Sequence, residues 1–276
     1  MTNTQRFIFI LNIIACFFAT AAYSQQPKNS IIKHTLSKQS QDNLFAQMVW
    51  VEGGLFMMGS DHQDAHKHEK PRHKVSLDGF YMAKTEVTQG LFEELMGWNY
   101  SYFQCAQCPM NNISWFNAQL FIKRLNLITG KRYQFPTEAQ WEYAASGGVF
   151  SKGYIYSGSN NINEVAWYAG NAERKSHAVA QKKPNELGLF DMTGNLWEMV
   201  LDDMSRKAYT LLGSDNPLML MSKDPKHKAM KVIRGSGYEF SPQESQVFRR
   251  DGATNNVRMP DIGFRLVLNQ DHRNNK

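Results

Sequence analysis

Lys183-Pro-Asn-Glu-Leu-Gly-Leu-Phe-Asp-Met-Thr-Gly-Asn-Leu-Trp-Glu198 is the stretch on which the fold turns. Its apolar residues follow neither a helical nor a strand period, and Pro184, Asn185, Gly188, Gly194 and Asn195 are turn formers. The same texture extends on both sides. From Gly148 to Leu268, short apolar clusters alternate with Gly, Asn and Pro, and no helix is predicted. A long irregular segment inside a compact domain is uncommon unless a function or a bound ion organises it.

Upstream, the pattern is regular. Met48–Val51 reads as a strand, Gly53-Gly54 as a turn and Leu55–Met58 as a second strand. Ser60–His73 is a polar, histidine-rich loop, and Lys74–Met82 alternates as a third strand. A helix is predicted from about Thr88, with Leu91, Phe92 and Leu95 on one face. Another follows Ser114, where Ala118, Phe121, Ile122 and Leu125 keep helical spacing and Gly130 lies beyond the end. Thr137-Glu-Ala-Gln140 is a capping box that opens a short helix carrying Trp141, Ala144 and Ala145 and stopping at Gly147-Gly148. Helices in the first half and short strands in a loop-rich second half give an α+β class.

The composition agrees. Of 276 residues 42% are hydrophobic, enough to bury a core in one or two domains, and 12% aromatics with 20% charge exclude a wholly disordered chain. The net charge of +6 is spread along the chain rather than gathered in a stripe, so no nucleic-acid partner is expected. No repeat of 20 to 50 residues is visible, which excludes solenoids and propellers.

At the N-terminus, Arg6 precedes an apolar run over Phe7–Ala22, and Ala22-Tyr23-Ser24 offers small residues where a signal peptidase reads. Residues 1–24 are expected to be a secretory signal peptide, and the mature protein periplasmic or secreted in a bacterium. The run is too short to span a membrane comfortably, which takes about 20 residues, so no transmembrane segment is expected after cleavage. Ile13-Ile14-Ala15-Cys16 loosely resembles a lipobox, which leaves lipidation at Cys16 as the alternative. Residues 25–46 are polar and aperiodic and read as a flexible tether before a domain over 47–270.

Four segments together carry a family resemblance: Trp50-Val-Glu-Gly-Gly-Leu-Phe-Met-Met-Gly-Ser60, Thr85-Glu-Val-Thr88, Phe135-Pro-Thr-Glu-Ala-Gln-Trp-Glu-Tyr-Ala144 and Lys183–Glu198. Ile233-Arg-Gly-Ser236 and Asp261-Ile-Gly-Phe-Arg265 echo them. In this order, over residues 47–268, the chain resembles the formylglycine-generating enzyme (sulfatase-modifying factor) family. The resemblance implies one compact α+β domain, a variant of the C-type lectin fold rich in irregular structure. It also implies an oxidase in which two cysteines after the Arg-Gly-Gly-Ser-like motif bind copper and react with oxygen and a substrate cysteine. Here the matching stretch, Arg234–Arg249, contains no cysteine, nor does anything after Cys108. Soft thiolates select cuprous copper, and serine or phenylalanine cannot replace them. Neither copper nor a catalytic cysteine pair is expected.

Further expectations follow from the resemblance. Calcium would be held by the Asp191 side chain, the carbonyls of Gly194 and Leu196, and Glu198. Asn171 resembles a ligand of a second calcium site whose acidic member is not evident. The alternative is that these side chains accept backbone hydrogen bonds in a tight turn. Trp197, Tyr238, Phe240 and Arg249 match positions that line a substrate-peptide groove, although core packing explains Trp197 equally well.

Two constellations stand apart from the resemblance. Cys105-Ala-Gln-Cys108 reads as a local disulfide or a pair of free thiols rather than a redox centre, since no second pair and no βαβ setting accompany it. His62, Asp64, His66, His68, Glu69 and His73 crowd one loop without regular ligand spacing, which reads as a solvated polar loop before it reads as a zinc or copper site. The expected function is a binding or accessory role beside a protein or peptide partner in the cell envelope. The alternative is a metal-dependent oxidase of the same family working through other residues.

Overall fold

The computed structural model describes residues 34–221 and 230–269. The expected signal peptide over 1–24, its Cys16, and the first part of the expected tether lie outside the described residues.

Thr35 onward forms one compact unit of mixed α and β structure. It opens with α1 (Lys38–Ala46), followed by β1 (Met48–Val51), β2 (Gly54–Met58), a 3-10 turn at Lys67–Glu69, β3 (His73–Leu77) and β4 (Phe80–Ala83). Next come α2 (Gln89–Met96), α3 (Trp115–Thr129), β5 (Tyr133–Gln134) and α4 (Glu138–Ala145). The second half holds one-turn helices α5 (Ile162–Val165) and α6 (Ala208–Leu211), and strands β6 (Trp197–Asp203), β7 (Met230–Arg234), β8 (Arg250–Thr254), β9 (Ile262–Gly263) and β10 (Val267–Asn269).

The helix starts follow their caps. Thr88, Ser114 and Thr137 each accept a backbone N–H of the first turn, and Gly97 and Gly130 close α2 and α3 in the left-handed conformation. Part of the segment expected as a tether is instead ordered. Ser37 caps α1, Leu36 and Leu44 reach the core, and Glu94 of α2 accepts from the Ser37 N–H and the Ser40 hydroxyl. The apparent strand Lys74–Met82 is two strands in different sheets. The break between them at Asp78-Gly79 needs a glycine, because a Cβ at Gly79 would meet the Trp50 ring at 2.4 Å.

Strands β1, β4, β10 and β5 form one antiparallel sheet, β2 pairs with β3 in a hairpin, and β8-β7-β6-β9 form a third sheet in which β9 runs parallel to β6. One hydrophobic cluster packs α2 and α3 against Trp197, Ile233 and Phe264. A second surrounds α4 and joins Trp141 and Tyr143 to Val75, Phe80, Val200 and Val232. All eight residues of α4 are buried, so Glu138 and Glu142 lie in the interior and need partners there. The decisive stretch ends in regular structure after all: Trp197 and Glu198 begin β6, where Glu198 pairs in register with Arg234 on one side and Gly263 on the other.

Candidate functional site

The turn leading into β6 is left-handed at three positions, with φ of +56° at Asp191, +77° at Gly194 and +59° at Asn195. Only glycine fits at 194, where a Cβ would stand 2.2 Å from the Trp167 carbonyl oxygen. The turn is pinned by Gly194 N–H donating to the Gly235 carbonyl, Asn195 N–H to Trp167 and Trp197 N–H to Asp261, each at 2.8 Å.

This turn delivers Glu198, fully buried, to Arg265, also fully buried. Arg265 donates from Nε and Nη2 to the two Glu198 carboxylate oxygens at 2.6 Å, and Trp141 Nε1 donates to Oε2 at 2.8 Å. The remaining Arg265 donors reach the carbonyls of Ala83, Lys84 and Phe190. Every guanidinium N–H is thereby used, and three of about four acceptor positions on the carboxylate are filled. This junction ties β6, α4, β4 and the 183–198 stretch together.

Beside it lies a carboxylate without such support. Glu86, between β4 and α2, is buried with neither oxygen paired to a hydrogen-bond donor among the described residues. Burial, and then the charges of Asp191 and Glu198, push its pKa well above the usual range. Asp191 is pushed up to about 6 by burial, against the Ala180 N–H that donates to its Oδ2 at 2.8 Å and the nearby Arg265. Three buried carboxylates thus share one guanidinium. Hard oxygen donors with surplus negative charge suit calcium. In charge and donor type these residues suit such an ion, with a change of cast from the sequence expectation: the donors least engaged belong to Glu86 and the Asp191 carboxyl, while Glu198 is already the anchor of Arg265. Among the described residues the three carboxylates do not converge on one point without movement. Glu86 also lines a cleft of about 490 Å³ with Ala180, Val87 and Leu266.

Asn171 is used elsewhere. Its Oδ1 accepts from Tyr168 N–H and its Nδ2 donates to the Ala166 carbonyl, both at 3.0 Å. Next to it, His177 Nε2 bonds the Ala172 carbonyl at 2.9 Å while its ring stacks on Trp167 at 3.8 Å. The acidic partner missing from the sequence is missing from these contacts too, and the residues do not fit a second calcium ion.

Of the four groove positions, only Trp197 and Phe240 meet among the described contacts. Trp197 meets Phe240 edge to face at 5.3 Å, and Tyr238 packs with Leu196 and Ala172. Trp197 and Tyr238 are buried, Phe240 is half-buried, and the Tyr238 hydroxyl pKa is pushed up to about 12 by burial and by the Glu239 and Asp261 charges. Arg249 is not with them. It is buried, donating to Glu69 Oε2 at 2.9 Å and to the Gln243 carbonyl at 2.8 Å. The loop between Arg234 and Arg249 therefore carries aromatic and hydroxyl groups and no thiol. Cys105 and Cys108 are joined by a disulfide in the turn before α3.

The sequence matches the model of the sulfatase-modifying factor enzyme 1-like domain over residues 33–270. The chain belongs to this family. A protein named chaperone protein LppX, of Paenibacillus barcinonensis, is 32% identical over 80% of this chain and 88% of its own length. An inactive Cα-formylglycine-generating enzyme 2 of Bos taurus is 25% identical over 80% of this chain and 87% of its own length. Among solved structures, PvdO from Pseudomonas aeruginosa superposes with a TM-score of 0.69 at 25% identity, over 81% of this chain and 94% of the other. The family match begins at residue 33, in keeping with the ordered α1.

Glu86 and Arg265 escaped assignment as functional residues, although both stand in motifs that mark the family. A lone Glu ahead of a helix reads as a solvated first-turn acid, and only the fold shows it buried beside two more carboxylates.

Proposed function

We propose that this protein is an exported, non-oxidase member of its family that binds a protein or peptide partner in the cell envelope. The observation that carries the reading is the loop after Arg234, which offers Tyr238, Phe240 and hydroxyl side chains where copper-dependent oxidation needs two thiolates. The only cysteines of the domain are spent on each other at 105 and 108. Half-buried Phe240, backed edge to face by buried Trp197, would give an extended peptide an aromatic contact, with Glu239 and Asp261 near Tyr238 in the same loop region. Support also comes from relatives named as a chaperone and as an inactive enzyme of this family.

In this proposal calcium is structural. Glu86 and Asp191 would hold it, and it would neutralise their charge and fix the turn that presents Trp197.

The deciding experiment offers the purified protein a sulfatase-type Cys-x-Pro-x-Arg peptide, with and without copper, and follows it by mass spectrometry. No aldehyde above the enzyme-free control is expected, and its appearance would overturn the reading. Export is checked by intact mass of protein expressed with its own N-terminus. A chain starting at or near Gln25 is expected, whereas fatty-acid labelling at Cys16 would make it a lipoprotein.

A further inference from the structure

We propose that His66, His68 and Glu69 form a binding site for one divalent transition-metal ion of the zinc class, separate from the carboxylate cluster and from the aromatic contact at Phe240. The loop after β2 folds back on itself, with Ser60 N–H donating to the Glu69 carbonyl and Glu69 N–H to the His66 carbonyl, both at 3.0 Å. That closure brings one ring nitrogen of each histidine and one Glu69 carboxylate oxygen within 4.8 Å of one another. His66 Nδ1 is already 3.7 Å from Glu69 Oε1. Around zinc, with bonds of about 2.0–2.1 Å, tetrahedral ligand atoms stand about 3.4 Å apart. The set therefore needs only to tighten, and His66, whose side chain is 58% exposed, is free to do so.

The surroundings orient the set as a metal requires. His68 Nε2 lies 3.1 Å from the Arg250 carbonyl; with the proton on Nε2, Nδ1 keeps a lone pair. A ligating histidine usually has its second nitrogen held in this way by a backbone carbonyl. Glu69, fully buried, is fixed through Oε2 by His66 N–H at 2.6 Å and Arg249 Nη1 at 2.9 Å. Its Oε1 has only the distant Arg250 N–H at 3.4 Å and retains acceptor capacity.

The other two histidines of the loop are otherwise engaged. His62 Nδ1 accepts from Asp64 N–H, and the His73 ring packs at a tilt against Tyr209, centroids 4.7 Å apart, with Nδ1 beside the Pro71 carbonyl. Two imidazoles and a carboxylate favour zinc, copper or nickel over calcium or magnesium. Three protein ligands leave a position for water or a partner's side chain.

The test titrates the metal-free mature protein with Co²⁺, read by its visible absorption, and with Zn²⁺ by calorimetry, in buffer containing calcium. One equivalent of either ion is expected, with Zn²⁺ displacing Co²⁺. His66→Ala, on an exposed side chain, and His68→Ala should each weaken binding at least tenfold, while His62→Ala and His73→Ala leave it unchanged. Melting curves of the metal-free variants separate lost ligands from lost fold. No binding at millimolar ion, or His66→Ala binding like the wild type in a folded protein, would overturn the proposal.

Discussion

Glu198 and Glu86 are both fully enclosed carboxylates whose charges act on each other, and the chain treats them in opposite ways. Glu198 has two bonds from Arg265 and one from Trp141. Glu86 has none. A buried charge costs several kcal/mol unless paired, and a bare buried carboxyl escapes that cost by holding its proton, the direction in which burial pushes Glu86. The satisfied carboxylate is framework; the bare one is where, in the proposal above, calcium would take the place of the proton.

The sharpest way to break this contrast is to remove the framework charge. Glu198→Gln leaves Arg265 buried without a counter-charge, and losing one partner of a buried pair costs about 3–5 kcal/mol. Urea unfolding is expected to show that loss with or without calcium. A cost below about 1 kcal/mol would mean Glu198 is no framework residue.

Calcium tests the other half. A ligand that binds only the native state adds about 2.7 kcal/mol at a hundredfold excess over Kd, which for a domain of this size raises the melting midpoint by about 5–10 °C. Glu86→Gln should abolish that response with little change in the midpoint measured in chelator, because burial already favours the neutral carboxyl and neither oxygen has a hydrogen-bond partner among the described residues. Magnesium should help much less, since it dehydrates reluctantly and wants a tight octahedron. Equal melting curves in calcium and in chelator for the wild type would remove calcium from the proposal.

A smaller effect follows from pH. Asp202 accepts from Glu138 N–H at 2.7 Å and Met219 N–H at 2.8 Å, yet burial and then the Glu138 charge push its pKa up to about 7. Its proton is thus held more tightly in the folded chain than in the unfolded one, where a carboxyl titrates near 3.9. The native state binds more protons between about pH 4 and pH 7, so stability falls as pH rises through that window. Asp191 acts in the same direction up to about pH 6. At Glu138, burial is outweighed by Arg250 and Arg234, and its opposite contribution is lost only below the ordinary carboxylate range. In calcium-free buffer, urea unfolding should therefore give greater stability at pH 5 than at pH 8. A maximum at pH 8 would contradict the burial argument.

How much of this was legible depended on whether the signal was local. Caps at Thr88, Ser114 and Thr137 placed three helices, because a hydroxyl and the N–H it accepts are three residues apart. Helix α1 was hidden because Leu36 and Leu44 are its only buried anchors in an otherwise polar segment. Strand β6 was hidden because the turn residues before Trp197 masked where extended structure begins. The family motifs marked the chain's membership, yet they could not tell that Arg265 occupies Glu198, that Glu86 is bare, or that Arg249 turns to Glu69. Those facts depend on contacts between residues 67 to 180 positions apart.

Asn171 gives the smallest effect and the finest distinction. If it were a cation ligand like the pair at Glu86 and Asp191, its loss would weaken the response to calcium. The geometry instead makes it a turn residue, holding Tyr168 N–H and the Ala166 carbonyl just before the left-handed pair Glu173 and Arg174. Each such bond is worth about 0.5–1.5 kcal/mol net, so Asn171→Ala should cost about 1–2 kcal/mol. Ala166 is buried and Asn171 only partly so, which leaves water able to replace some of what is lost. The calcium-induced rise in the midpoint should therefore be unchanged in the variant, starting from a lower value. A variant that melts like the wild type in chelator but has lost its calcium response would return Asn171 to the ligand set and make this loop, like Glu86, a place built for an ion.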